Sequence, residues 1–301
     1  MGKFYLSQST IKQFIRHGNE LEYCPYERYK AIISREETRP TTLFQLRGQF
    51  FESISIGGVS SYSTHPVLDL PRKRLNKKTL ILNPKAKGEK TVSQLRIEEQ
   101  SKIFKEKAEQ YGIVYNELNT QTKIYKRYEH DKSIILRGEM DIFPTIIKKD
   151  GKYKLAIIDL KLTGNLENGF GDFNWSDFES MDHLQAMFYL YLLKDLDFDL
   201  NDELNPRNNL RELIKGDILE LLNNEQMIFI YWIFDYKPAY TDMFKEYYTS
   251  ELKWKQFHET LRKATALLEM EHKLGWRPRP SDSLCNGCHV KSCEFYNQQF
   301  R

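Results

Sequence analysis

The chain has 301 residues, 40% of them hydrophobic and 29% charged, with a net charge of +3, so it can bury a sizeable core and is neither a disordered nor a fibrous sequence. Its longest strongly apolar run, Met227 to Phe234, is too short to cross a bilayer, and Met1 to Phe14 lacks a signal-peptide core; the expectation is a soluble cytoplasmic enzyme with no membrane partner. A charge of +3 is too small by itself to argue for nucleic acid.

Helical patterns cover parts of Ser9 to Ile33, then Leu43 to Ile56 and Val92 to Tyr111. Between the last two the charge is unevenly placed. From Arg72 to Arg96 nine Lys or Arg residues stand against one acid, Glu89. Lys73, Arg74, Lys77 and Lys78 at its heart could neutralise phosphates, since clustered cations are rewarded by counterion release; a solvated loop explains the same composition equally well. Two β-rich stretches, Ser133 to Phe143 and Lys154 to Leu162, flank the hairpin-turn signature Lys148-Lys149-Asp150-Gly151. A helix is expected from about Ser176 to Leu193, opened by the capping-box pattern Ser176-x-x-Glu179. An acidic, Asn-rich connection from Asp195 to Asn209 and a short helix lead to a strand, Met227 to Asp235. A last helix, from about Tyr247 to Lys273, is broken by Pro278 and Pro280. The mixture, without internal repeats, predicts an α/β fold.

The hairpin carries the chemistry. In Leu155 to Leu162 alternation puts Ala156, Ile158, Leu160 and Leu162 on one face and Ile157, Asp159 and Lys161 on the other. A carboxylate and an amine thus share one side. A three-residue Lys149-Asp150-Gly151 loop would pair Lys148 with Lys152 and set Asp141 opposite Asp159, whereas a two-residue Asp150-Gly151 turn would send Asp141 to the other face. Facing carboxylates repel unless a cation lies between them. Oxygen-only ligation suits magnesium or manganese, and Lys161 stands where it could orient or deprotonate a water. Gln185 and Tyr189, four apart on a helix, face the same way, and Glu52, four residues after Gly48, is a further acid on a helix. Singly, each of these is a common surface residue.

The cysteines fall as one plus three: Cys24, then Cys285, Cys288 and Cys293. The C-x2-C-x4-C spacing converges on one soft metal centre, with Cys24 as a remote fourth ligand that staples the two ends together. Structural zinc usually takes its ligands as two pairs, so the asymmetric split favours an iron-sulfur cluster over zinc. A disulfide suits a cytosolic chain least.

In order, Glu52, Asp141 within Gly138-Glu139-Met140-Asp141, Asp159-Leu160-Lys161 and Gln185-x-x-x-Tyr189 resemble the PD-(D/E)xK nuclease superfamily, RecB-like branch. With Cys24-Pro25-Tyr26, the three C-terminal cysteines and the opening Tyr5-Leu6-Ser7-Gln8-Ser9, the chain resembles its iron-sulfur members, the AddB nuclease domain and the CRISPR-associated four-cysteine exonucleases. The resemblance implies a restriction-endonuclease-like core, a central mixed sheet flanked by helices, with the N- and C-terminal segments joined by a [4Fe-4S] cluster. One nuclease domain would span residues 1–301: an N-terminal helical segment (1–60) with the first cysteine, a basic insertion (62–96), the nuclease core (97–275) and the cysteine segment (276–301).

The resemblance also makes Asp141 and Asp159 metal ligands, Lys161 the water-positioning base, and Gln185 and Tyr189 the supporting motif. Glu52 stands where the RecB-like pattern usually has His. The implied activity is magnesium- or manganese-dependent hydrolysis of DNA, leaving 5′-phosphates, most simply as an exonuclease on single strands or ends. A structure-selective or site-specific endonuclease is the alternative within the class; a non-catalytic DNA-binding scaffold is the alternative outside it. No G-x-x-x-x-G-K-[ST] loop is present, so a helicase, recombinase or CRISPR-adaptation partner would have to supply any ATPase.

Overall fold

The computed structural model describes residues 4–15, 24–36, 42–57, 92–164, 166, 183–235, 242–278, 288 and 290–293. In chain order the elements are β1 (Phe4–Leu6), α1 (Gln8–Ile15), α2 (Pro25–Arg28) running into a wide turn at Tyr29–Ile33, α3 (Leu43–Ile56), α4 (Val92–Gln110), β2 (Thr120–Arg127), β3 (Ile134–Lys149) and β4 (Lys152–Thr163). There follow α5 (His183–Leu193), α6 (Phe198–Leu204), α7 (Leu210–Leu213), α8 (Asp217–Asn223), β5 (Met227–Asp235), β6 (Asp242–Tyr247) and α9 (Glu251–Lys273).

The six strands form one mixed sheet. β3 pairs antiparallel with β2 and β4, β1 joins β3 in parallel, β5 joins β4 in parallel, and β6 closes the far edge against β5. Strands β4 and β5 read as apolar runs because both their faces are covered. One face packs Ile157, Phe229, Tyr231 and Ile233 against α1, α5 and α9; the other packs Ala156, Ile158, Trp232 and Phe234 against α3 and α4. The result is three layers, helices on either side of the sheet. No helix among the described residues is long and apolar enough to cross a membrane.

The hairpin between β3 and β4 has the two-residue turn of the second sequence expectation, but not its consequence for Asp141. Lys149 pairs with Lys152, and Asp150 (φ 48°) and Gly151 (φ 78°) both lie in the left-handed region, so the loop is the two-residue type I′ turn. That register alone would send Asp141 to the wrong face. It does not, because the ladder shifts between Ile142, which pairs with Ile158, and Thr145, which pairs with Ala156. Phe143 and Pro144 therefore oppose the single residue Ile157, a β-bulge at a residue with no N–H to give to the ladder. The bulge restores the one-residue offset. Its backbone groups find other partners: Phe143 N donates to Asn119 O, and Thr122 Oγ1 donates to Phe143 O.

Pairing along β3 also contains a break. Ile135 pairs with both Tyr5 and Arg127, and Ile142 with both Thr120 and Ile158. Strand β2 therefore holds one side of β3 between residues 135 and 142, while β1 and β4 share the other side, β1 at residues 134–136 and β4 from residue 142 onward. Residues 137–141, Arg137-Gly138-Glu139-Met140-Asp141, border the gap between them.

Other expectations need correction. Tyr247 ends β6, and the last helix begins after Ser250, whose hydroxyl accepts from Lys253 N. The Asn-rich connection contains α6, capped by the Asp197 carboxylate accepting from Leu200 N. The capping-box pair Ser176 and Glu179, the basic residues Lys73, Arg74, Lys77 and Lys78, and Cys285 lie outside the described residues.

Candidate active site

Glu52, Asp141, Asp159, Lys161, Gln185 and Tyr189 come from four elements and meet at the break in β3. Helix α3 is held by a capping box between Thr42 and Gln45 and anchored in the core by Phe50, Phe51 and Ile56, which leaves Glu52 half-buried at the rim. Its Oε1 accepts from Gln121 Nε2 at 2.7 Å. Asp141, just ahead of the bulge, reaches across the parted strands, and its Oδ2 accepts from Leu160 N at 2.6 Å. Asp159 is 3% exposed on the face of β4 that meets α5; Gln185 Nε2 donates to its Oδ1 at 2.7 Å, and Lys161 Nζ forms an ion pair with its Oδ2. The Tyr189 hydroxyl donates to Glu139 O at 2.9 Å, and its ring stacks on Phe229.

Gly138 explains how α5 comes so close to β3. A Cβ there would meet Leu192 Cδ1 and Tyr189 Cε1, each at 2.6 Å, so only a glycine lets the helix lay Gln185 and Tyr189 against the site.

The carboxylates act on one another. Burial pushes Asp141 well above the usual carboxylate range, the charges of Glu52 and Asp159 push it further, and Lys161 and the Leu160 N–H pull only partly the other way. Glu52 is also raised, by burial first, against the lowering effects of Gln121 and Lys161, with Glu139 and Asp159 adding repulsion. Tyr189 is raised well above its ordinary value by burial and by the negative charge of Asp159 and Asp141. Three carboxylates gathered around one lysine leave an excess of negative charge in a poorly solvated place, and oxygen donors of this kind suit a hard divalent cation. Among the described residues no group of three or more His, Cys, Asp or Glu side chains is placed, as it stands, to hold a metal ion.

The cysteines converge as far as they are described. Cys24 caps α2, and its carbonyl accepts from Arg28 N. The Cys288 thiol is raised by burial and further by Glu27, Cys24 and Cys293 nearby. Tyr26 and Ser292 share a hydrogen bond at 3.4 Å, and Tyr29 stacks on Trp276 at 5.4 Å, so the two ends of the chain meet there.

Gln121, at φ 51°, escaped the sequence reading. The alternation of Thr120, Thr122, Ile124 and Lys126, all buried, was the available signal for β2, but nothing in it marks Gln121 as the partner of an acid some seventy positions earlier in the chain.

Carboxylates and a lysine thus lie clustered where a mixed sheet opens between two helical layers. The chain belongs to the PD-(D/E)XK nuclease superfamily, whose family model matches residues 70–293. That span includes Asp141, Asp159, Lys161, Gln185 and Tyr189, while Glu52 and Cys24 precede it. A crystal structure from Eubacterium rectale, of a protein provisionally described as an exonuclease, has a similar fold, with a TM-score of 0.52 and 13% identity over 98% of this chain and 87% of that one. No curated protein matches the chain in sequence.

Proposed function

We propose that this protein is a magnesium- or manganese-dependent deoxyribonuclease of the RecB-like branch, acting as an exonuclease on single-stranded DNA or DNA ends and carrying a [4Fe-4S] cluster. The observation that carries the reading is the meeting of Glu52, Asp141 and Asp159 with Lys161 at one break in the sheet. Those three carboxylates would hold the ion, which supplies polarisation of a phosphoryl oxygen and a lowered pKa for bound water. Gln185 fixes the rotamer of Asp159, and the Leu160 N–H fixes that of Asp141. Lys161 Nζ orients the attacking water and, when neutral, takes its proton. The water oxygen would bond to phosphorus as the bond to O3′ breaks, and O3′ would take a proton from solvent, leaving a 5′-phosphate and a 3′-hydroxyl. The provisional exonuclease description of the Eubacterium rectale protein points the same way.

Cys24, Cys285, Cys288 and Cys293 would hold the cluster, whose part is to pin the N-terminal segment to the C-terminal tail. The approach of Cys24 to Cys288 and Cys293 supports this. Incubation with labelled linear and circular single-stranded DNA and magnesium tests the activity. Loss from ends supports the exonuclease, cutting of circles supports the endonuclease, and no cleavage of either supports a scaffold.

A further inference from the structure

Beside the carboxylates, in the same break of β3, lies a cleft of about 380 Å³. It opens where the chain leaves β1, at Ser7 to Ser9, and is bordered by Lys123 and Tyr125 of β2, by Arg137 to Glu139 of β3, and by Arg35. Three of these residues are cations and one, Glu139, is an acid. Lys123 Nζ lies 3.9 Å from Glu139 Oε2 with both groups about half exposed, a loose pairing that leaves the local balance positive. Arg35 is exposed and Arg137 half-buried.

The cleft adjoins the candidate active site: Tyr189 borders both, and its hydroxyl donates to the carbonyl of Glu139, which borders the cleft two residues before Asp141 on β3. Positive charge just beyond a cluster of acids is the pattern that positions a polyanion: the acids receive the reacting phosphate, and the cations seat its neighbour. The volume stands at the small end of ligand clefts. A volume of this size takes a nucleotide unit. The half-buried ring of Tyr125 adds a surface on which a base can stack, as in sites for single strands.

We propose that this cleft seats the phosphodiester adjoining the scissile one on a single nucleic-acid strand, with Lys123, Arg137 and Arg35 as its anion contacts. The proposal rests on the nuclease reading for the word scissile, but the binding it asserts is measured separately.

The test is fluorescence anisotropy of a labelled oligodeoxythymidylate with the full chain in EDTA, comparing wild type with Lys123→Gln/Arg137→Gln and with Arg35→Gln across a salt series. The double variant is expected to bind about tenfold or more weakly, with a salt slope flatter by about 1.4, that is about 0.7 for each lost phosphate contact. Unchanged affinity and slope would overturn the proposal. So would equal binding of duplex, or displacement of the strand by inorganic phosphate as readily as by unlabelled strand. The single variant Lys123→Gln, at an exposed position, carries the same test if the double variant fails to fold. Cleavage by wild type in magnesium is scored apart. Absent cleavage with cleft-dependent binding sinks the nuclease reading and leaves the cleft, whereas present cleavage with binding indifferent to the substitutions sinks the cleft alone.

Discussion

Replacing Gly138 by Ala adds one methyl group at the point where α5 rests on β3. The added Cβ would lie 2.6 Å from Leu192 Cδ1, 2.6 Å from Tyr189 Cε1 and 2.9 Å from Tyr189 Cδ1, where carbon atoms prefer about 3.5–4.0 Å. Helix and strand must therefore part by about 1 Å. Neither neighbour can simply swing aside: Leu192 is fully buried, and the Tyr189 ring is stacked on Phe229 with its hydroxyl bound to Glu139 O. Overpacking of this kind costs about 1–3 kcal/mol, and a domain of this size loses about 2 °C of melting temperature per kcal/mol. A fall of about 2–6 °C is expected by circular dichroism. Because α5 also carries Gln185, a shift of about 1 Å should slow cleavage by about a hundredfold. Pairing Gly138→Ala with Leu192→Ala should relieve part of the clash, giving a coupling of at least about 1 kcal/mol in a double-mutant cycle. A melting temperature and cleavage rate both unchanged in Gly138→Ala would refute the close-approach argument.

Gln121→Ala removes the hydrogen bond to Glu52 Oε1 and should weaken magnesium binding by about 10–100-fold with little loss of stability, measured by metal titration. Protein purified without oxygen should be brown, with broad visible absorption and about four irons per chain. Cys24→Ala should bleach it and lower its melting temperature, since the ligands join the two ends of the chain; colourless zinc protein, or an unchanged melting temperature, would count against the cluster. Asp131 is held below its usual carboxylate range by side-chain and backbone hydrogen bonds from Ser133. A lowered folded pKa means that its contribution is present above the unfolded value near 3.8 and is lost as pH falls through the folded value. Asp131→Ala should therefore lower stability at neutral pH by less than about 1 kcal/mol, solvent screening keeping it small, and by progressively less as the pH falls through the folded value; a difference undiminished in acid would contradict this.

What was legible in the sequence was mostly local. Helix α3 ends where its apolar pattern ends, and β5 spans the expected Met227–Asp235. Strand alternation put Asp159 and Lys161 on one side, and a four-residue helical spacing set Gln185 and Tyr189 side by side; both hold because each depends on the geometry of a single element. The turn Asp150-Gly151 was readable as type I′, but the residue that decides where Asp141 points is Pro144, several positions away. A register shift at a bulge is a property of two strands together. Strand β1, three residues long, is too short to show any period, and β6 is half-polar along its length because it lies at an edge. The cation cleft was invisible for a similar reason: Arg35, Lys123 and Arg137 are distant in sequence, and only the interrupted pairing of β3 brings them together.

The central claim is that Asp159 and Lys161 act on a phosphodiester together with the neighbouring acids. It is tested most directly by the rate at which a labelled linear single strand is cut in magnesium by wild type and by Lys161→Ala, with the melting temperatures of both measured alongside. The account predicts cleavage by wild type that EDTA abolishes, and a loss of at least about a hundredfold in the folded variant. Full activity in Lys161→Ala, or cleavage by wild type undiminished in EDTA, would contradict it.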